Sequence, residues 1–306
     1  MALLIDLLVR LAAAVVVSIV FGGLIIVGAD QLRSLWANRR ERVLRAWRPL
    51  VALGVVLAVN KVAREVGPTI SWIIGINITG TIYAIEGGFV ATVQSVANPS
   101  FTLYFSVAYV YMYVFLLVFP FLAYLALADP RPLRELAAAY IFNYVLGLVC
   151  YILFVSYGPR NLLPEMVDSL LYSTYPNTQL LTRQVNATTN VFPSLHTSTS
   201  ATVALLAWRT RDTYPRWLYV AAPMAGSIIV ATMYLGIHWG IDVLAGLALA
   251  YLSVKLAQRY ADYAARRDRE DDEREGPGDG SADAANPDPE VETPTPEAAQ
   301  ESNSTS

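Results

Sequence analysis

The chain has 306 residues, of which 55% are hydrophobic and 15% charged, and its mean hydropathy is +0.42. That balance excludes a soluble globular domain and indicates an integral membrane protein. The formal net charge of −3 hides an asymmetry: Asp262 to Ser306 carries 14 of the 25 acidic residues and 4 of the 22 basic ones, so the preceding chain is basic.

Apolar runs recur at Leu11 to Val27, Leu50 to Val66, Phe101 to Leu127, Leu136 to Tyr157, Ser194 to Trp208, Trp217 to Ile237 and Ile241 to Ala257. Most are near the roughly 20 residues that a spanning helix needs, and together they predict an all-α membrane bundle of seven spans. The second run is interrupted by Lys61, Arg64 and Glu65, and the fifth is short. Arginines rather than a small-residue cleavage site follow the first run, so it is expected to stay as a helix rather than leave as a signal peptide. Between the second and third runs, Pro68 to Ser100 mixes apolar residues with Glu86, Gln94 and several glycines, which predicts one or two short interfacial helices. The single cysteine, Cys150, lies in an apolar run and reads as packing. Beyond Asp262 the chain is rich in Asp, Glu, Pro, Gly and Ser without apolar periodicity, and a disordered acidic tail is expected, serving solubility in high salt or binding a basic partner. There is no internal repeat and no glycine-rich phosphate loop of the soluble nucleotide-binding types.

Arginines fall in alternate connections: Arg33, Arg39, Arg40, Arg42, Arg45 and Arg48, then Arg131 and Arg134, then Arg209, Arg211 and Arg216, then Arg259, Arg266 and Arg267. The positive-inside rule places all of these in the cytoplasm, with the amino terminus outside and the tail inside. The remaining connections then face outward, including the stretches that hold the only two histidines, His196 and His238. Asn77-Ile78-Thr79 and Asn186-Ala187-Thr188 are glycosylation sequons on the same expected face, although the motif is short and often fortuitous.

His238 and Asp242 are four residues apart and share a helix face, an arrangement in which a carboxylate fixes the tautomer of a nucleophilic or basic imidazole. Intramembrane ionisable groups are expensive and usually functional; the plainer alternative is a pair that makes a membrane helix tolerable. Pro193-Ser194 opens a helix with Ser194 as N-cap, so the amides from Leu195 onward form an anion site in which His196 can protonate a leaving oxygen. Arg160, at the end of the fourth run, offers a guanidinium to a phosphate on the same side. The rival chemistry is zinc held by the two histidines and Asp242.

These residues resemble the type 2 phosphatidic acid phosphatase superfamily, whose three motifs run K-x6-R-P, P-S-G-H and S-R-x5-H-x3-D. Here they correspond to Arg160, to Pro193-Ser194-Leu195-His196, and to Thr232-Met233-Tyr234-Leu235 leading to His238 and Asp242. The second and third motifs are most similar to the branch containing fungal inositol phosphorylceramide synthase. The resemblance covers about Leu50 to Ala257 and implies a six-helix phosphatase-like core, with residues 1–48 as an extra helix and basic loop, 49–261 as the core and 262–306 as the tail.

The resemblance further implies that His238 attacks phosphorus to give a phosphohistidine, Asp242 orients it, His196 protonates the departing alkoxide, and Arg160 and Ser194 hold the phosphate. Leu153, Asn161 and Ala231-Thr232 stand where the family has lysine, proline and Ser-Arg, so two phosphate-binding cations are absent. Lys61 and Arg64, at the outer end of the second run, are the candidates to replace them. The expected partners are a lipid phosphate substrate and the bilayer, with no nucleic acid, no metal and no other cofactor. Water and an alcohol are both open as acceptors, so the reading is a lipid phosphatase or an inositolphosphotransferase-like enzyme. The alternative is a non-catalytic lipid-binding or transport protein whose histidines relay protons.

Overall fold

A computed structural model describes residues 2–174 and 191–275. The Asn186 sequon and most of the acidic tail lie outside the described residues. The chain divides into two units, Met1–Ala265 and Arg266–Ser306. Beyond that boundary, the described residues 266–275 are helical.

The described residues are helical almost throughout. In order, the helices are α1 (Ala2–Gly22, extended by a π-helical turn Gly23–Val27), α2 (Ala29–Ala37), α3 (Arg39–Arg45), α4 (Trp47–Ile74), α5 (Thr79–Glu86), α6 (Phe89–Gln94), α7 (Pro99–Val107), α8 (Tyr113–Leu125), α9 (Arg131–Leu153), α10 (Pro159–Leu162), α11 (Leu170–Thr174), α12 (Leu195–Arg209), α13 (Pro215–Tyr234) and α14 (Gly240–Glu275). A π-helical turn, Ala108–Met112, joins α7 to α8 into one long element.

Among the described residues, five helical segments are long and apolar enough to cross a membrane: Leu4–Val27, Pro99–Leu125, Arg131–Leu153, Pro215–Tyr234 and Gly240–Arg267. A sixth arises if α3 and α4, bent by 68° at their junction, count as one span. The fifth expected span, at Ser194 to Trp208, is shorter than these. It forms the 15-residue α12, about 22 Å long at 1.5 Å per residue and so shorter than the hydrocarbon core.

What α12 lacks in length it makes up in burial. Thr197, Ser198, Thr199, Ser200 and Thr202 are all buried, so this helix is surrounded by protein rather than lipid. Hydrogen bonds answer most of that polarity. Ser198 bonds to the Asn143 amide oxygen, whose Nδ2 donates to Thr202 Oγ1 at 3.0 Å, and Thr199 shares a 3.1 Å bond with the Tyr113 hydroxyl. Bundle helices cannot use the hydrophobic effect against lipid, so small residues and polar bonds carry their association. The neighbours of α12 fit that rule: α9 buries Ala137, Ala138 and Ala139, and α13 buries Ala221, Ala225 and Ala231.

The two ends of the bundle differ in chemistry. At one end Arg42 donates to the Leu125 and Ala126 carbonyls, Arg134 to the Arg45 carbonyl at 2.7 Å, and Arg216 to the Ile25 carbonyl at 2.8 Å. Buried Glu135 is matched there by Arg131 and Arg209, each at 3.1 Å. The opposite ends of α9, α12 and α14 carry the histidine motifs. The segment from Pro68 to Ser100 first continues α4 to Ile74 and then forms α5 and α6, the two short helices that the sequence predicts. A parallel two-residue ladder, Ile76 with Phe154 and Asn77 with Val155, ties this segment to the end of α9.

Candidate active site

Three stretches far apart in sequence meet at the histidine end. Gly158 packs so closely on the third motif that a Cβ there would lie 2.5 Å from the Ile237 carbonyl oxygen, and Gly246 packs on the second so that its Cβ would lie 2.6 Å from the Ser194 carbonyl oxygen. The Ser194 amide donates to the Asp242 carbonyl at 3.0 Å, and the Arg160 amide to the Gly236 carbonyl at 3.2 Å. Backbone contacts therefore set the register of all three motifs. A valine at Gly246 should force α14 away from the start of α12, costing about 1–3 kcal/mol of stability by overpacking. A melting temperature unchanged in Gly246→Val would contradict this packing.

His238 is buried in the turn before α14, and its backbone amide donates to the Thr232 carbonyl at 3.0 Å. Its Nδ1 lies 3.4 Å from Asp242 Oδ2, and that same oxygen accepts the Trp239 amide at 2.9 Å. The 3.4 Å separation is longer than a well-formed N–H···O bond; catalytic pairs commonly tighten when substrate binds. With Nδ1 facing the carboxylate, Nε2 is the ring atom left to react. Asp242 Oδ1 is buried and has no hydrogen-bond partner among the described residues.

His196 occupies the first turn of α12, within electrostatic reach of both His238 and Arg64. Its ring lies between two tyrosines, stacked on Tyr109 at 4.3 Å between centroids and set against Tyr113 at 4.1 Å. Tyr109 belongs to the π-helical turn, and such turns frequently mark functional sites. Sequence reasoning missed both tyrosines; their i, i+4 spacing within a tyrosine-rich run is the signal that could have found them. Ser194 caps α12, its Oγ accepting the Thr197 amide at 3.3 Å. The Leu195 side chain packs on Gly147, and its backbone interacts with the Tyr151 hydroxyl.

Arg160 stands over the Tyr172 ring at 4.5 Å, with Nη1 buried and without a partner among the described residues. The two candidate substitute cations behave differently. Arg64 donates from Nε to Asn60 Oδ1 at 2.9 Å, with its guanidinium 5.6 Å from the Tyr151 ring centre, whereas Lys61 is exposed. The positions of the missing family residues are likewise divided, for Leu153 and Asn161 are exposed and Thr232 is buried with its hydroxyl donating to the Ile229 carbonyl at 2.7 Å.

The short helices cover the third motif. Trp239 is fully buried against Ile82, Val90 and Val167, and its Nε1 donates to the Tyr157 carbonyl at 2.8 Å. Gln94 on α6 donates to the Tyr234 carbonyl at 2.9 Å. The Glu86 carboxylate, to which no role was assigned from sequence, accepts the Gly240 amide at 2.8 Å and the Ile241 amide at 2.9 Å. Among the described residues, no three His, Cys, Asp or Glu side chains gather in a way that can hold a metal ion.

A sequence profile described as the PAP2 superfamily matches residues 84–256, more than half of the chain. The matched stretch contains Arg160, Ser194, Leu195, His196, His238 and Asp242, and leaves out α1, Lys61 and Arg64. No curated protein and no solved structure matches the chain.

Proposed function

The chain belongs to the PAP2 superfamily, and from that membership together with the site's geometry we propose a membrane enzyme that cleaves a lipid phosphate ester through a covalent phosphohistidine. The carrying observation is the Asp242 carboxylate 3.4 Å from Nδ1 of buried His238. In the first step His238 Nε2 forms a bond to phosphorus, the ester P–O bond breaks, and His196 delivers its proton to the departing alkoxide. In the second step neutral His196 takes a proton from water or an alcohol, whose oxygen attacks phosphorus and releases His238. Asp242 stabilises the charge that develops on the His238 ring.

Arg160, whose buried Nη1 has no partner among the described residues, supplies charge to the phosphoryl oxygens, and the N-terminus of α12 adds its dipole. These groups provide the electrostatic stabilisation for which a metal is used elsewhere. The site lies at the end opposite the arginine cluster, so the positive-inside rule favours an external active site and a cytoplasmic tail in a cell membrane. The inositol phosphorylceramide synthase-like form of the second and third motifs favours an alcohol as acceptor, with lipid phosphatase activity as the outcome when water attacks.

The test is to incubate purified protein with a panel of lipid phosphate esters, with and without inositol and with and without a chelator. Release of phosphate or formation of a new phosphoester, undiminished by the chelator, is expected. Binding of these lipids without any turnover would favour a transport or lipid-binding protein, and activity lost to the chelator and restored by zinc would favour metal chemistry.

The same assay separates the two substitute cations. Arg64, within electrostatic reach of His196, should matter to a transferring phosphoryl group, so Arg64→Gln is expected to lose about 2 kcal/mol of transition-state stabilisation, roughly 30-fold in kcat/KM. Exposed Lys61 is expected to act only by reaching interfacial water, and Lys61→Gln should stay within about threefold of the native value. Equal effects from both substitutions would remove the basis for this distinction.

A further inference from the structure

We propose that Glu86, on the covering helix α5, is a positioning residue that fixes the catalytic turn around His238; the proposal rests on the phosphohistidine reading above. The start of a helix leaves backbone amides without intrahelical partners. At the start of α14 three successive amides are all taken by carboxylates: Trp239 by Asp242, and Gly240 and Ile241 by Glu86. Asp242 thus holds one amide and faces His238 with the same oxygen, while Glu86 holds the next two. The two carboxylates grip adjacent peptide groups, so a shift in one changes the geometry presented to the other.

The contact is long-range, 154 and 155 residues apart in sequence, and it is accompanied by packing. The Tyr83 ring, one turn earlier on α5, lies 6.3 Å from the Trp239 ring, and a Cβ at Gly240 would lie 3.3 Å from Glu86 Oε2. A carboxylate at a helix N-terminus is also favoured by the helix dipole, which helps to secure Glu86 in place. With the α14 terminus filled, the helix terminus left to meet a substrate phosphate is that of α12, beside Ser194 and His196. Glu86 therefore does two things through position alone. It locks the 3.4 Å relation of His238 to Asp242, and it directs the phosphate to the second motif.

The experiment compares native protein with Glu86→Gln and Glu86→Ala, each purified whole and normalised to folded protein by its melting curve. Glutamine keeps one accepting oxygen but turns an amide donor toward the second backbone N–H, so an ordered series is expected. For Glu86→Ala, kcat and the single-turnover rate of phosphohistidine formation should fall at least tenfold with KM within threefold, and Glu86→Gln should lie between alanine and native. A role confined to stability would lower the melting temperature and leave kcat per folded molecule and the phosphorylation rate unchanged, which would overturn the proposal. A rise in KM at constant kcat would also overturn it, by placing Glu86 in substrate binding. If native protein turns over without forming phosphohistidine, the mechanistic reading fails and this proposal falls with it; native phosphohistidine with equal rates in all three proteins overturns the proposal alone.

Discussion

Replacement of His238 by alanine is expected to lower turnover by at least about four orders of magnitude, because a covalent nucleophile cannot be replaced by the positioning that remains. The surroundings of His238 make the experiment interpretable. The turn is held by its own backbone amide on the Thr232 carbonyl, by Trp239 on Tyr157 and by Glu86 on two amides, none of which uses the imidazole. Loss of the ring should therefore leave the fold intact while removing the reactive nitrogen. His196→Ala should cost about 10²- to 10⁴-fold, the usual contribution of a general acid, and least on substrates whose leaving oxygen needs no proton. Near-native rates in the His238 variant would end the assignment, whatever the His196 variant does.

Asp242→Asn carries the second large effect. The native carboxylate accepts from Trp239 N–H and faces Nδ1 of His238 with the same oxygen. An asparagine that keeps the Trp239 bond leaves an uncharged oxygen near Nδ1, and one turned the other way loses that bond and presents an NH2 group to Nδ1. The second orientation favours the tautomer with the proton on Nε2, the atom required to attack, and both orientations remove the charge that stabilises the developing imidazolium. A loss of about 10³- to 10⁴-fold in kcat with folded protein retained is expected, by analogy with the same substitution in a nucleophile–histidine–aspartate triad. Stopped-flow or discontinuous assay of folded Asp242→Asn decides it: activity within tenfold of native would reduce Asp242 to a structural helix cap.

The parts of this site that were legible in sequence are those with local signatures. His238 and Asp242 announce themselves by i, i+4 spacing, Ser194 by its place before a helix, and the histidine and arginine ends of the bundle by the alternation of arginine-rich connections. What the sequence did not show are contacts between segments without local pattern. Glu86 sits in a mixed apolar stretch, and nothing in its neighbours indicates two amides 154 and 155 positions away. Tyr109 and Tyr113 read as ordinary apolar-run aromatics until the π-helical turn sets both against His196. The same limit applies to the short fifth run. An apolar run that ends in a membrane protein's interior resembles one that faces lipid, and only the burial of Thr197 to Ser200 reveals that α12 is enclosed by other helices. Lys61 and Arg64 were indistinguishable as charges on one run; the bond from Arg64 to buried Asn60 separates them.

The most direct test of the central claim is to trap the intermediate. Native protein in excess over a lipid phosphate labelled in its phosphoryl group is mixed, quenched within a single turnover in alkali rather than acid, and digested for peptide mapping. The account predicts transient label that is stable to base, labile to acid and located on the peptide containing His238, absent in His238→Ala and accumulating when the acceptor is withheld. Product formed at the full single-turnover rate with no label on that peptide would show that water or alcohol attacks phosphorus directly, and would contradict the account.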